Sequence, residues 1–351
     1  MATLKARRNR YGFVRLLLPP SALDHGRVHV VLPVVMGSAI ALGAFVGVSW
    51  AAGFSAVLHR FVHPHWWWFF VALAAEALSY AGYVFAYREV ARVERGPDFG
   101  LPRLAALVAT GFGIFVAGGG FAVDLEALRR SGISPREARV RVLGLGALEY
   151  AVLAPAACIA SVVLILEGER HGPSAGFIYP WALGVPVGFA LAFAALRFRD
   201  RVTGSRGWRN AVSHALDGVN VLRHLATAPR DHGAAAYAGT ALYWFGDILC
   251  LWATLHAFLA HGFGISQMIV GYATGYALTR RTLPFAGAGA VEALLPFALL
   301  WAGAPLAAAV LAVFTYRVFN LWLPIVPAVG GLKALRRMDE ARRRTQRAWE
   351  D

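Results

Sequence analysis

Long apolar runs recur along this chain, and the first extends from Val28 to Phe54 without an Asp, Glu, Lys or Arg residue. A transmembrane helix needs about 20 consecutive apolar residues, so a run of this length can cross a bilayer. It is too long for the core of a secretory signal peptide and no convincing cleavage site follows it, so we expect it to remain in the protein. Because hydrophobic residues make up 58% of the chain, the sequence predicts an all-α polytopic integral membrane protein.

Positive charge lies mainly between the apolar runs. The net charge is +14, and the arginines are distributed over short loops and tails. This is the positive-inside pattern of membrane proteins, so we expect no nucleic-acid partner. The tail 1–27, the loop 198–236 and the tail 333–351 are basic. We therefore expect a multi-pass protein of the plasma membrane with both termini in the cytoplasm.

The hydropathy pattern predicts about eight transmembrane helices in a single membrane domain, residues 28–332, with halves at 28–197 and 237–332. The glycine-rich segment 104–123 is interpreted as a re-entrant hairpin, because a hairpin keeps the arginines that follow it on the inner side. A full crossing there is the alternative. We expect parallel halves with the hairpin and inverted halves with the full crossing. The predicted crossings are at about 30–52, 66–87, 143–166, 176–197, 237–260, 266–280, 291–303 and 306–329.

The stretch 278–292, LTRRTLPFAGAGAVE, places charges and helix-breaking residues inside an apolar region. Hydrocarbon cannot satisfy the backbone groups that proline and glycine free, so this stretch must face protein or a water-filled cavity. Ionisable residues at membrane depth indicate a functional site by default. Alternatively, the two arginines mark a cytoplasmic helix end. The candidate residues here are Arg280, Arg281 and Glu292, with Pro284, Gly287 and Gly289 as structural or hinge positions.

Other ionisable residues lie within predicted spans: Glu76, Glu149, Asp247 and Arg317. Glu76 has no partner nearby in sequence, so we expect it to find one across the helical bundle. The sequence predicts no metal site and no cofactor. His59, His63 and His65 could ligate a metal or sense pH, but no acid or cysteine lies close to them, and we interpret them as interfacial.

Two glycine segments predict an internal repeat. GGGFAVD at 118–124 ends in Asp124, and GAGAVE at 287–292 ends in Glu292. Each is followed by a short helix, a glycine turn and a long helix, at an offset of about 170 residues. Broken helices at matching positions of two halves point to the substrate site of a transporter. Gly118, Gly119 and Gly120 are therefore the hinge candidates of the first half.

The motifs of the second half resemble those of a known family. LPFAGAGAVE at 283–292 is similar to the L-P-G-G-x-G-x-x-E motif in the transmembrane domain of lysylphosphatidylglycerol synthases and its stand-alone relatives. The turn at Gly303 to Pro305 and AxxxYR at 312–317 follow as in that family. The resemblance covers roughly residues 30–330. The first segment departs from the pattern, since it has no proline and no arginine before Asp124. The resemblance implies lipid translocation between leaflets or another lipid-associated role in the membrane.

We therefore expect flippase-like transport of a polar lipid, an anionic or aminoacylated phospholipid or a glycolipid. Arg280, Arg281 and Arg317 would contact phosphate, and the acids Glu292, Asp124, Glu149, Asp247 and Glu76 would balance them or receive an amine. The chain shows no P-loop and has no room for an aminoacyl-transferase domain, so an enzyme is the less favoured reading.

The alternative is an integral-membrane enzyme of lipid or glycan-lipid metabolism, or a scaffold for such enzymes. A lipid-synthesising partner and a homo-oligomer are both compatible with the sequence. The lipid, the direction of transport, its energy coupling and the oligomeric state stay open.

Overall fold

In the computed structural model the described residues are 28–93, 96–112, 120–168, 175–204, 207–227, 230–259, 262–275, 287–325 and 327. All regular elements in these ranges are helices, as the sequence predicts. In chain order they are α1 (Val28–Ala52), α2 (Phe54–Val62), α3 (Trp67–Arg92), α4 (Leu101–Phe112), α5 (Gly120–Arg130), α6 (Pro135–Leu166), α7 (Ala175–Arg197), α8 (Arg199–Val202), α9 (Gly207–Thr227), α10 (Arg230–His256), α11 (Ile265–Gly275), α12 (Ala290–Trp301) and α13 (Leu306–Arg317), which continues as a short π-helix, Val318–Trp322.

Five of these helices are long and apolar enough to cross a membrane: 34–52 of α1, α3, α6, α7 and 233–256 of α10. The lengths and compositions of these helices confirm the prediction of a multi-pass helical membrane protein. The apolar helices α4, α12 and the α13 segment to Trp322 are shorter. Helix α12 has 12 residues and is about 18 Å long at 1.5 Å per residue, less than the roughly 30 Å of a hydrocarbon core. The count of eight crossings stays a prediction.

Helices α3 and α10 pack with their backbones in close contact. A Cβ atom added to Gly82 would lie 2.4 Å from the backbone nitrogen of Tyr243. One added to Gly246 would lie 2.5 Å from the carbonyl oxygen of Ala75. Glycine at these positions allows the two helices to approach, as small residues do at helix interfaces in membranes.

The two helices of this pair run antiparallel. At the beginning of α3 the ring of Trp68 lies 5.3 Å from that of Trp252, near the end of α10. Towards the end of α3, the backbone nitrogen of Ala86 lies 2.8 Å from a Cβ built on Gly239, near the beginning of α10. The α3–α10 pair forms the centre of the fold, and α4, α6, α9, α11 and α13 pack against it.

Helices α4 and α5 leave α3 and return to the same end of it. Phe99, just before α4, has its ring centroid 6.4 Å from that of Tyr87 in the last third of α3. After α5 and a turn, α6 begins nearby, and Arg141 donates a hydrogen bond of 2.8 Å to the carbonyl of Val93 at the end of α3. The residues between α4 and α5, 113–119, lie outside the described part of the chain.

Helices α11 and α12 form a second antiparallel pair. A Cβ on Gly275, at the end of α11, would lie 2.8 Å from Cα of Leu295. At the beginning of α11, the amide nitrogen of Gln267 lies 3.4 Å from a Cβ built on Gly303, which follows α12. Trp252 in α10 donates a hydrogen bond of 3.0 Å to the carbonyl of Phe263. The pair therefore begins and ends beside the C-terminal end of α10.

A glycine with positive φ ends each helical pair. Gly132 has φ of 96° and Gly303 has φ of 105°, a region that favours glycine. Helix α6 then begins with a capping box, in which the Ser134 hydroxyl accepts from the Glu137 backbone and the Glu137 carboxylate accepts from Ser134. Helix α13 begins after Pro305. Both turns lie where the sequence predicts them.

Of the predicted hinge positions, Gly287 and Gly289 have positive φ angles of 71° and 84°, and Gly120 is the first residue of α5. Gly118, Gly119 and Pro284 lie outside the described residues.

The predicted cytoplasmic loop 198–236 contains the short helix α8 and the 21-residue helix α9. Helix α9 packs on the first turns of α6, where a Cβ on Gly144 would lie 2.6 Å from Cβ of Val221. Helices α6 and α10 begin several residues before the predicted spans, at Pro135 and Arg230.

Candidate functional site

Asp247 lies at the centre of a buried polar cluster. It is in the middle of α10 and has no solvent exposure. Its carboxylate accepts a hydrogen bond of 2.9 Å from the hydroxyl of Tyr316 and another of 2.9 Å from the amide nitrogen of Asn320. The hydroxyl of Tyr272 in α11 donates a third. Three donors from two other helices therefore stabilise a carboxylate that would otherwise be costly to bury.

Asn320 also joins this cluster to α3. Its amide nitrogen lies 3.1 Å from a carboxylate oxygen of Glu76, which is 4% exposed. The expectation that Glu76 finds a partner across the bundle is thus confirmed. Asn320 lies in the π-helix that continues α13, where the backbone nitrogen of Leu323 donates to the carbonyl of Val318. Such π-helical turns are frequent at functional sites.

Glu292 and Arg317 form an ion pair beside this cluster. The guanidinium Nε donates to the carboxylate of Glu292 over 2.6 Å, and the side chains are 0% and 3% exposed. The second carboxylate oxygen accepts a hydrogen bond of 2.7 Å from the backbone nitrogen of Gly289. Glu292 therefore also caps the N-terminus of α12, where a negative charge is favoured. The two residues that the sequence marked on either side of a glycine turn are in direct contact.

Asp124 belongs to a second buried cluster at another level of the bundle. Its carboxylate accepts a hydrogen bond of 2.9 Å from the hydroxyl of Tyr83. Its backbone carbonyl accepts one of 3.0 Å from Tyr87. Tyr83 is seven residues after Glu76 on α3, about 10 Å along the helix axis. The described hydrogen-bond partners of Asp124 therefore differ from those of Asp247 and Arg317.

Aromatic rings connect the two clusters. The ring of Tyr83 lies 5.4 Å from that of Tyr243, which lies 4.5 Å from that of Trp244. Trp244 in turn lies 6.0 Å from the ring of Tyr272. Its indole nitrogen donates a hydrogen bond of 2.8 Å to the backbone carbonyl of Glu149. Glu149, whose side chain is buried, therefore lies next to this row of aromatic rings.

A lateral groove of about 930 Å³ opens beside Glu76. Its walls come from α3, from the first turns of α4 and from the segment that follows α13. Glu76 is the charged side chain among its described lining residues, and the others are apolar apart from Tyr80. The remaining lining residues include Leu73, Ala77, Phe85, Ala105, Phe319 and Pro324.

The predicted phosphate contacts Arg280 and Arg281 lie outside the described residues. The predicted interfacial histidines line a separate cavity of about 470 Å³ with Arg60, at the junction of α2 and the end of α10. Within the described ranges no group of three or more His, Cys, Asp or Glu side chains could hold a metal ion.

Sequence reasoning missed three tyrosines that donate to buried carboxylates, Tyr83, Tyr272 and Tyr316, and Tyr87, which donates to the backbone carbonyl of Asp124. One signal was available for Tyr316, since it lies four residues before Asn320 and therefore on the same face of a helix. Tyr83 and Tyr87 share a face of α3 in the same way.

Comparisons of the sequence with protein-family models and with curated proteins find no match.

Proposed function

We propose that this protein translocates a polar lipid, a phospholipid or a glycolipid, between the two leaflets of its membrane. The observation that carries the proposal is the groove at Glu76. Among its described lining residues it combines an apolar wall with the carboxylate of Glu76, which is hydrogen-bonded into the buried polar cluster.

A lipid needs two environments when it crosses a bilayer. Its acyl chains stay in an apolar medium, while its headgroup requires polar partners at membrane depth. The groove supplies the first environment, since Leu73, Phe85 and Phe319 line it. Glu76 supplies an acceptor at its wall, and Asn320 extends the polar surface towards Asp247.

The acids favour a headgroup that carries hydrogen-bond donors. Glu76 accepts hydrogen bonds when ionised, so an amine or a hydroxyl complements it better than a bare phosphate. Among the described residues of the cluster Arg317 carries the positive charge, and it forms an ion pair with Glu292. Phosphate contact by Arg317 therefore requires that the lipid compete with Glu292 for the guanidinium.

The order of the elements supports an internal repeat. Helix α3, the α4–α5 pair, the turn at Gly132 and α6 correspond to α10, the α11–α12 pair, the turn at Gly303 and α13. Because α3 and α10 run antiparallel, we propose an inverted repeat, one of the two arrangements that the sequence leaves open. Inverted repeats with broken helices are typical of transporters whose substrate site lies near the midplane. On this interpretation α4–α5 and α11–α12 are re-entrant pairs that enter from opposite sides.

A lipid-flipping assay in reconstituted vesicles tests the proposal. A fluorescent lipid is distributed over both leaflets, and a reductant that does not cross the membrane bleaches the outer one. Wild-type protein should allow bleaching of the inner pool. Ala77→Phe fills the groove and should slow this phase. Glu76→Gln removes the acceptor charge and should slow it roughly tenfold or more, the effect of losing one charge-assisted hydrogen bond.

Matched controls separate these effects from general damage. Ala190→Phe adds the same side chain on the exposed face of α7, and Glu167→Gln makes the same change at an exposed position after α6. Both should flip lipid at the wild-type rate. Equal rates for all five proteins, or for protein-free vesicles, would contradict the proposal.

A further inference from the structure

Arg141 is a buried cation beside the C-terminal end of α3. It lies in the second turn of α6 and is 7% exposed. One terminal nitrogen donates a hydrogen bond of 2.8 Å to the carbonyl of Val93. Its Nε atom is buried and has no hydrogen-bond acceptor within the part of the chain that the structure describes. No carboxylate among these residues forms an ion pair with it.

A buried charge without a counter-charge is strongly destabilising. One neutral carbonyl leaves most of the five guanidinium donors without a strong acceptor. The surrounding backbone keeps the group in place, since a Cβ on Gly96 would lie 3.1 Å from Nε of Arg141. The position therefore favours an anion that is supplied from outside the chain.

A cavity of about 230 Å³ adjoins Arg141. Its walls are the end of α3, the first turns of α6 and one face of α9. Arg136, Asn220 and His224 also line it and can donate hydrogen bonds to an anion.

The two acidic side chains that line the cavity, Glu137 and Asp217, interact with other groups. Glu137 accepts from the backbone and the hydroxyl of Ser134 in the capping box of α6. Asp217 accepts a hydrogen bond from Arg199 and lies 3.9 Å from a guanidinium nitrogen of Arg136. Neither acid neutralises Arg141.

We propose that this cavity is a binding site for a phosphate group, centred on Arg141. Two sources have this chemistry: the headgroup of an anionic lipid in the adjacent leaflet, and a free phosphate or phosphorylated small molecule. The planar guanidinium suits the bidentate recognition of phosphate oxygens. The site is separate from the groove at Glu76 and does not depend on lipid translocation.

Thermal unfolding of the purified protein in a neutral detergent tests the site. Inorganic phosphate, phosphatidylglycerol and neutral diacylglycerol are added separately, and each concentration dependence gives an apparent Kd. Wild-type protein should be stabilised by phosphatidylglycerol, by phosphate or by both, and not by diacylglycerol. Arg141→Met should weaken this binding roughly tenfold to a hundredfold, the effect of losing a charge-assisted hydrogen bond.

Arg139→Met is the matched control, because it removes the same charge from an exposed position on the same helix. It should bind as the wild type does. If Arg141→Met does not fold, Arg136→Gln provides the second variant, since its side chain is 77% exposed and lines the same cavity. A response to phosphatidylglycerol alone identifies a lipid site, and a response to phosphate identifies a free-anion site. Equal binding by wild type, Arg139→Met and the cavity variants, or stabilisation by diacylglycerol, would overturn the proposal.

Discussion

The ion pair between Glu292 and Arg317 should make a large and strongly non-additive contribution to stability. Both side chains are almost completely buried, and their closest atoms are 2.6 Å apart. Arg317→Met leaves the Glu292 carboxylate with the capping bond from Gly289. Removing one partner of a buried pair costs about 3–5 kcal/mol, because the other charge loses its compensation.

The double variant should be more stable than either single variant. Glu292→Gln keeps the shape of the side chain and an oxygen that can accept from Gly289, but it removes the charge next to the guanidinium. Combined with Arg317→Met it removes both charges, so that neither position leaves an uncompensated charge in the interior. The coupling energy should therefore reach about 3 kcal/mol or more, against about 0.5 kcal/mol for independent sites.

A double-mutant cycle measures this coupling. The four proteins are unfolded in mixed micelles by increasing the fraction of sodium dodecyl sulfate, and helical circular dichroism gives the free energy of unfolding. The same cycle on Arg92 and Asp98, an ion pair with side chains 23% and 60% exposed, is the control and should show little coupling. Additive effects at Glu292 and Arg317 would refute the reasoning that their charges compensate each other.

Three further predictions concern other parts of the fold. Tyr316→Phe removes a 2.9 Å hydrogen bond to the buried carboxylate of α10 and should lower the free energy of unfolding by about 1 kcal/mol or more; an unchanged value would contradict the role of this donor. Gly82→Leu places a side chain 2.4 Å from the backbone of α10 and should abolish the monodisperse peak in size-exclusion chromatography, whereas Gly43→Leu, with nothing within 4 Å, should keep it. The hydrogen bond from Arg92 holds the pKa of Asp98 below its ordinary value of 3.8. The ionised Asp98 side chain therefore stabilises the folded protein above pH 3.8, and this stabilisation is lost as the pH falls through the lower pKa of the folded state. The unfolding midpoint of wild type should therefore exceed that of Asp98→Asn near neutral pH and converge with it below pH 3.8; a difference that grows on acidification would contradict this sign.

The sequence predicts the membrane character and the pairing of Glu292 with Arg317 because both depend on local patterns. Apolar runs mark the long helices, and a glycine turn followed by a helix returns Arg317 towards Glu292. Helix α6 begins at Pro135, several residues before the span that hydropathy predicts at about 143–166, because its first turns carry arginines that lower hydropathy. The capping box at Ser134 and Glu137 was the better signal for that boundary.

The hydrogen-bond partners of Asp124 could not be predicted from local sequence patterns. Tyr83 and Tyr87 precede it by 41 and 37 residues. Their contact depends on how α3 is rotated about its axis and on which helix packs beside it. Those two properties are set by the close α3–α10 contact at Gly82, which is a tertiary feature and has no counterpart in hydropathy.

The segment from Tyr316 to Asn320 connects the two properties that transport would require. Tyr316 and Asn320 bind Asp247 of α10, and Asn320 also binds Glu76 of α3. Phe319, between them in sequence, lines the groove. A displacement of this segment away from α3 would therefore widen the groove and break the hydrogen bond from Asn320 to Glu76 in one movement. Because buried carboxylates cannot lose their donors without cost, such a movement is favoured when a lipid headgroup supplies replacement donors. In the proposed translocation, entry of the headgroup and opening of the groove would be coupled through the same few side chains.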